Sequence, residues 1–257
     1  MKSWDGGVPY RLLKIELGTF LPLVESTNDI LDESKPPGTW IIAEEQTKGR
    51  GRRNKDWISL GKGSLFFSGK VMIPTEQVSV TLLSMFLAAS VARACIARVP
   101  ELSNELQVKW PNDLYRNGKK VAGILIESKV LDGNAELILG IGLNLYTEQM
   151  PTVLEDFATY LFDSTFSWEQ KIEFSKSLVK EINQTIIVLT DGGQVLKELS
   201  WLESVSFYKN KVLEWEQNGE TQRAGFIGYD EMGRLILKKE TGEKIEMLDS
   251  PADLKVL

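Results

Sequence analysis

The chain has 257 residues, enough for one sizeable core or for a large domain with a small one attached. Its composition, 42% hydrophobic and 26% charged, is that of a folded chain rather than a disordered one, and a net charge of −6 counts against whole-chain binding of nucleic-acid phosphates. With no histidine and one cysteine, Cys95, the chain excludes Ser-His-Asp triads, Cys-His pairs, histidine-ligated zinc and any internal disulfide.

Read in chain order, Met1-Lys2-Ser3-Trp4-Asp5 lacks the apolar stretch of a secretory signal. Ser26 or Thr27 can cap a helix that Ile30 and Leu31 continue, with Asp29 suited to its positive end. Segments 39–43 and 64–68 read as strands rich in β-branched and aromatic residues. From Val80 to Arg98, Leu82, Leu83, Phe86, Leu87, Val91 and Cys95 recur at helical spacing. That face makes Cys95 a small core residue, and a lone thiol fits the reducing cytoplasm. No run of about 18 apolar residues is found, so no membrane span is expected.

A strand at 106–110 is ended by Pro111, which places Asn112 and Asp113 at an exposed tip. Asn117-Gly118 and Asp132-Gly133 supply the positive φ angles of type I′ turns and predict two successive hairpins. Capping boxes at Thr152/Glu155 and Ser167/Gln170 announce two further helices, the second burying Trp168, Ile172, Val179, Ile182, Ile186 and Leu189. Beyond Asp191-Gly192-Gly193 the pattern changes. Short alternating segments at 211–215, 223–229, 234–238 and 244–248 suggest a small β-barrel of four or five strands.

Without histidine, chemistry must rest on carboxylates, Lys, Arg, amides and backbone donors, a set suited to phosphoryl and nucleotidyl transfer. Four segments carry that potential. Glu25-Ser26-Thr27-Asn28-Asp29 is an N-cap, or hydroxyls and an amide at a helix start able to hold a small polar head. The loop from Glu44 to Trp57 holds Gly49-Arg50-Gly51-Arg52-Arg53 and five cations between Lys48 and Lys55. It is no dinucleotide fingerprint, because Asn54 takes the third glycine position, and no Walker A loop, which Gly61-Lys62-Gly63-Ser64 echoes only superficially. It is either a solvated basic loop, a nucleic-acid contact, or a loop ordered when an anion draws its charges together. In Lys109-Trp110-Pro111-Asn112-Asp113, followed by Lys120-Val121-Ala122-Gly123-Ile124-Leu125-Ile126-Glu127, Asn112 can read a base or sugar and Asp113 can hold Mg²⁺. Gly140-Ile141-Gly142-Leu143-Asn144 is a strand whose glycines admit something close to the backbone, and whose Asn144 needs a defined partner.

In this order and spacing, the segments from Glu25 to about Leu145 resemble the catalytic domain of the biotin protein ligases. The resemblance implies an α+β fold: a mixed, largely antiparallel sheet with flanking helices (class II synthetase-like) over residues 1–200, and an SH3-like barrel over 201–257. It implies an ATP-dependent enzyme that forms biotinyl-5′-AMP and passes biotin to a lysine of a biotin carboxyl carrier protein, such as an acetyl-CoA carboxylase subunit. Ser26, Thr27, Asn28 and Gln46 would then hold the ureido end of biotin, and Arg50, Gly51 and Arg52 would close over it. Lys120 would lie against the biotin carboxylate and α-phosphate, making Lys120 and Arg52 the catalytic pair. Arg53, Trp110, Asn112 and Asn144 would border ATP, with Asp113 a magnesium contact. Many members have glycine where this chain has Asn54. About 24 residues precede the Ser-Thr-Asn motif, too few for the helix-turn-helix domain of members that double as repressors, so no DNA partner is expected. A homodimer through strand edges is also implied. Lipoate or octanoate transfer on a similar fold, and a non-catalytic single-strand-binding module built on the basic loop and small barrel, are the competing readings.

Overall fold

The computed structural model describes residues 10–77 and 79–257; the Met1–Asp5 stretch lies outside them. The large part runs β1 (Gly18–Val24), α1 (Thr27–Ser34), β2 (Trp40–Gln46), β3 (Ser64–Pro74), α2 (Val80–Arg98), β4 (Leu106–Lys109), β5 (Asp113–Arg116), β6 (Lys119–Leu131), β7 (Asn134–Asn144), α3 (Trp168–Asp191) and α4 (Val195–Ser204). The small part holds β8 (Val212–Gln217), β9 (Glu220–Tyr229), β10 (Leu235–Lys238), β11 (Lys244–Met247) and β12 (Lys255–Val256). Asn117 (φ 50°) with Gly118 (φ 80°), and Asp132 (φ 50°) with Gly133 (φ 78°), make the two hairpin turns the sequence calls for.

Seven strands form one sheet in the order β1-β2-β3-β7-β6-β5-β4. Only β1 and β2 pair in parallel, so the sheet is mixed as expected. Strand alternation then gives it two unlike faces. Leu65, Phe67, Val71 and Ile73 of β3 and Leu137, Leu139, Ile141 and Leu143 of β7 enter the main core, which α2 and α3 cover. Each such side chain contributes roughly 1.5–3 kcal/mol by leaving water. The intervening positions, Phe66, Ser68 and Lys70 on β3 and Ile138, Gly140, Gly142 and Asn144 on β7, face the other way. There α1 packs, with Leu31 against Ile41 and Ile138.

Two expectations need correction. The Thr152/Glu155 capping box starts no helix: Leu154 and Ala158 close turns, and the chain straightens because Phe157 and Thr159 hydrogen-bond the backbone of Lys120. Helix α2 needs no such correction: its mean hydropathy and length would suffice to cross a membrane, but Ser84, Ser90 and Arg93 interrupt a strict apolar run, and it is a core helix, largely buried. Asn112 and Asp113 are half-buried rather than an exposed tip, because Asn112 is bonded on both sides to the backbone of Ile124. The Ser167/Gln170 box does cap α3, whose buried face includes Val179, Ile182 and Ile186 but also the cation Lys171. Cys95 is fully buried, and desolvation pushes its thiol pKa up, as suits an inert core residue.

The second sheet is antiparallel, in the order β11-β10-β9-β8-β12, and is the small β unit expected at the C-terminus. Its β9–β10 turn rests on the large part. Trp110 Nε1 donates to Gly233 O at 2.8 Å, and Ser79 Oγ donates to Met232 O at 2.5 Å.

Candidate active site

The second face of the large sheet is floored by absent side chains. Strand register aligns Phe66 with Gly142, Gly142 with Gly123, and Gly123 with Asp113 in one row; Ser68, Gly140 and Leu125 form the next. A Cβ at Gly142 would fall 2.7 Å from Trp57 Cε2, and one at Gly123 would fall 2.6 Å from Trp57 Cζ3. At Gly140 the close neighbour is the Asn28 amide, 2.7 Å away. The two glycines of β7 thus admit an indole and an amide to the backbone.

Around Asn28 a chain of hydrogen bonds, buried at its centre, runs across α1, β2, β3 and β6. Ser26 caps α1 by accepting from Asp29 N. Gln46 Oε1, at the end of β2, accepts from Thr27 N at 2.6 Å and from Thr27 Oγ1 at 2.9 Å. Ser68 Oγ reaches Thr27 Oγ1 at 2.7 Å and Asn28 Oδ1 at 2.5 Å, and Asn28 Nδ2 donates to Glu127 Oε2 at 2.6 Å. Arg50 closes this end with a bidentate pair to Asp29 at 2.7 and 2.8 Å and a contact to Glu127 at 3.1 Å. The hydrogen bond from Arg50 holds the Asp29 carboxyl below its usual range, against the opposing effect of burial.

The basic loop is folded on itself: Trp57 N donates to Gly49 O, and Gly51 N to Lys55 O. Carboxylates elsewhere in the chain gather its cations. Arg50 is held as above, while Arg52 and Arg53 both reach Asp249 of the small part, at 2.6 and 2.8 Å. Arg52 also donates to Asn112 Oδ1 at 3.2 Å. Lys120 Nζ lies 2.7 Å from Asp113 Oδ1 and 5.1 Å from the centroid of the Trp57 ring.

Two adjoining clefts result. The first, about 510 Å³ including space open to solvent, is lined by Ser26, Thr27, Asn28, Gln46, Arg50, Gly51, Arg52 and Lys120, with Phe66, Phe67, Ile124 and Leu125 among its apolar walls. The second, about 1620 Å³ on the same measure, is lined by Arg53, Trp110, Asn112, Asp113 and Asn144, and by Tyr208 and residues 249–252 of the small part. Gly51, Arg52, Trp57, Asn112 and Lys120 line both. Every residue that the resemblance assigns to biotin, ATP or magnesium therefore lines one cleft or the other. Asn144 is buried, with Nδ2 on Thr159 O at 3.1 Å and Oδ1 without a partner among the described residues. Lys109 sits over the Tyr115 and Phe207 rings, and desolvation lowers its pKa. Trp57, Ser68 and Asp249 escape the sequence reading. Trp57 ends the loop that begins at Glu44 without an assigned role, Ser68 looks like a tolerated strand serine, and nothing local marks Asp249.

Residues 20–144 match the biotin/lipoate A/B protein ligase family. The bifunctional ligase/repressor BirA of Escherichia coli (strain K12) is 35% identical over 227 residues, 86% of this chain and 68% of that protein. The chain belongs to the biotin protein ligase family. A biotin–[acetyl-CoA-carboxylase] ligase of Paracoccus denitrificans is 27% identical over 212 residues, 80% of this chain and 86% of that one. Among solved structures, the biotin protein ligase of Aquifex aeolicus in complex with biotin and ATP superposes with a TM-score of 0.75 at 26% identity, covering 93% of this chain and 98% of that one. The family, the enzyme class and the α+β architecture are those the motifs imply.

Proposed function

We propose that this chain, acting in the cytoplasm, adenylates biotin with ATP and transfers the biotinyl group to a lysine of a biotin carboxyl carrier protein. The observation that carries this reading is the meeting of two clefts at Lys120, Arg52, Asn112 and Trp57. The first cleft combines apolar walls with a fixed set of hydroxyl and amide groups, which suits a ureido ring on an aliphatic chain. The second is large enough for a nucleotide, and Asn144 Oδ1, which has no partner among the described residues, offers it a buried acceptor. Residues 1–200 would carry both ligands, and 201–257 an SH3-like wall of the second cleft.

The biotin carboxylate and ATP are both anions, and bringing them together in a dry site costs electrostatic free energy unless cations intervene. Lys120 and Arg52 stand at the junction. In the first step a carboxylate oxygen attacks the α-phosphorus, the P–O bond to pyrophosphate breaks, and biotinyl-5′-AMP remains under the loop, away from water. In the second the carrier's lysine amine attacks the acyl carbon, AMP leaves with the bonding pair, and the amine releases a proton. Lys120 stabilises the negative charge that grows in both steps.

Magnesium fits this site as a companion of the triphosphate rather than as a caged ion. Among the described residues no group of three or more Asp, Glu or Cys could hold a metal. Asp113 is the carboxylate beside the junction, and its pair with Lys120 would be shared with the ion. The metal would neutralise phosphate charge. A homodimer through a strand edge belongs to the same reading, with β1 at one border of the sheet.

The test is biotin-dependent exchange of labelled pyrophosphate into ATP, with lipoate as the control. Exchange with biotin alone is the expected result, and exchange with lipoate alone would turn the assignment to lipoate. Lys120→Ala should abolish exchange, roughly a thousandfold loss or more, while the melting temperature holds. Near-normal exchange in that variant would remove Lys120 from the mechanism.

A further inference from the structure

A single carboxylate of the small sheet holds two arginines of the basic loop. Asp249 lies in the connection between β11 and β12. Arg52 Nη2 donates to its Oδ1 at 2.6 Å, and Arg53 Nη2 donates to its Oδ2 at 2.8 Å. Arg53 also donates to the Ser250 carbonyl, and Ser250 N donates to Asp249 Oδ1 at 2.8 Å, which orients the carboxylate. The arrangement is held although Arg53 adopts φ 57°, a left-handed conformation that a side-chain-bearing residue takes at a cost. Five cations in a short loop repel one another, so some anion must gather them, and here part of that anion is the protein's own.

Asp249 shares the second cleft with Lys109, Lys120 and Asn144. A carboxylate offers a guanidinium the same two-oxygen fork that a phosphate does. Any polyphosphate entering this cleft therefore meets two arginines already engaged by a fixed negative charge. We propose that Asp249 is a built-in counter-ion that docks the loop in the empty enzyme and competes with the nucleotide's phosphates for Arg52 and Arg53.

Burial would raise the Asp249 carboxyl, but the bonds from Arg53 and Arg52 outweigh it and hold the pKa below the usual range. It is therefore charged at neutral pH. Its side chain and those of both arginines are between 36% and 47% exposed, so a polyvalent anion can displace it at modest cost. Arg50 is tied to Asp29 and Glu127 instead, so releasing Arg52 and Arg53 leaves the first cleft anchored. The competition half of the proposal rests on the second cleft being the nucleotide site; the docking half does not.

The experiment uses the full chain and Asp249→Asn, which keeps the shape and removes the charge. In ligand-free protein, trypsin should cut after Arg52 and Arg53 roughly three- to tenfold faster in the variant, the range set by two exposed ion pairs. The melting temperature should be unchanged, and Asp249→Glu should restore slow cutting. Raising the salt concentration should speed cutting of the wild type toward the variant's rate, since exposed pairs are screened. ATP and inorganic tripolyphosphate should each protect the loop, at roughly three- to tenfold lower concentration in the variant than in the wild type. Equal cutting rates without ligand overturn the docking. Equal or weaker protection in Asp249→Asn overturns the competition. If neither compound protects either protein, the nucleotide reading of the cleft falls and the competition with it, while the ligand-free rates still decide the docking.

Discussion

Ser68 has one proton and two acceptors within reach, Thr27 Oγ1 and Asn28 Oδ1. Thr27 Oγ1 already donates to Gln46, and Asn28 Nδ2 already donates to Glu127, so the Asn28 carbonyl depends on Ser68 for its donor. Both residues are buried. Ser68→Ala leaves that carbonyl without a partner, at a cost of about 1–3 kcal/mol. We expect biotin to bind about tenfold more weakly by titration calorimetry, and half-saturation by ATP to stay as it was. A biotin affinity equal to wild type, with only the melting temperature lowered, would confine Ser68 to stability. The sequence makes Ser26, Thr27, Asn28 and Gln46 visible through capping chemistry and motif. It leaves Ser68 dark, because a serine inside Leu65-Phe66-Phe67-Ser68 is ordinary until strand register shows which face it joins.

On β7 a two-residue period repeats the same device: Gly140 beneath the Asn28 amide, Gly142 beneath the Trp57 indole, Asn144 at the second cleft. That two glycines in a strand admit a close neighbour is legible from Gly140-Ile141-Gly142. The neighbour's identity is not, since Trp57 arrives from a loop whose path depends on the folded sheet. Gly142→Ala must displace the indole, an overpacking cost of about 1–3 kcal/mol. Because Trp57 borders both clefts, both the biotin affinity and the ATP half-saturation should worsen, whereas Gly140→Ala should harm biotin alone. Equal behaviour of the two variants would deny Trp57 its place between the ligands. The helix announced by the Thr152/Glu155 box, which does not form, shows the opposite limit. Its capping pair is sound locally, but backbone bonds to Lys120 outbid it.

Across the whole molecule, the strands of the small sheet are legible from the short alternating segments between 211 and 248. Their seat on the large part is not, because the bond from Trp110 to Gly233 joins residues 123 apart in sequence. Gly233 is the tight point of that seat. It has φ +78°, and a Cβ there would fall 2.7 Å from Leu82 N, a backbone atom that cannot move aside cheaply. Gly233→Ala should therefore lift the small sheet off α2, with left-handed strain of about 1–2 kcal/mol added to the contact. The consequences should divide between the clefts. Every residue lining the first lies at or before Gly142, whereas the second needs Tyr208 and residues 249–252. Biotin affinity should hold, ATP half-saturation should rise about tenfold, and tryptic cutting after Arg52 should quicken as Asp249 withdraws. A parallel fall in biotin affinity would mean that the small sheet supports the whole site rather than one wall of the second cleft.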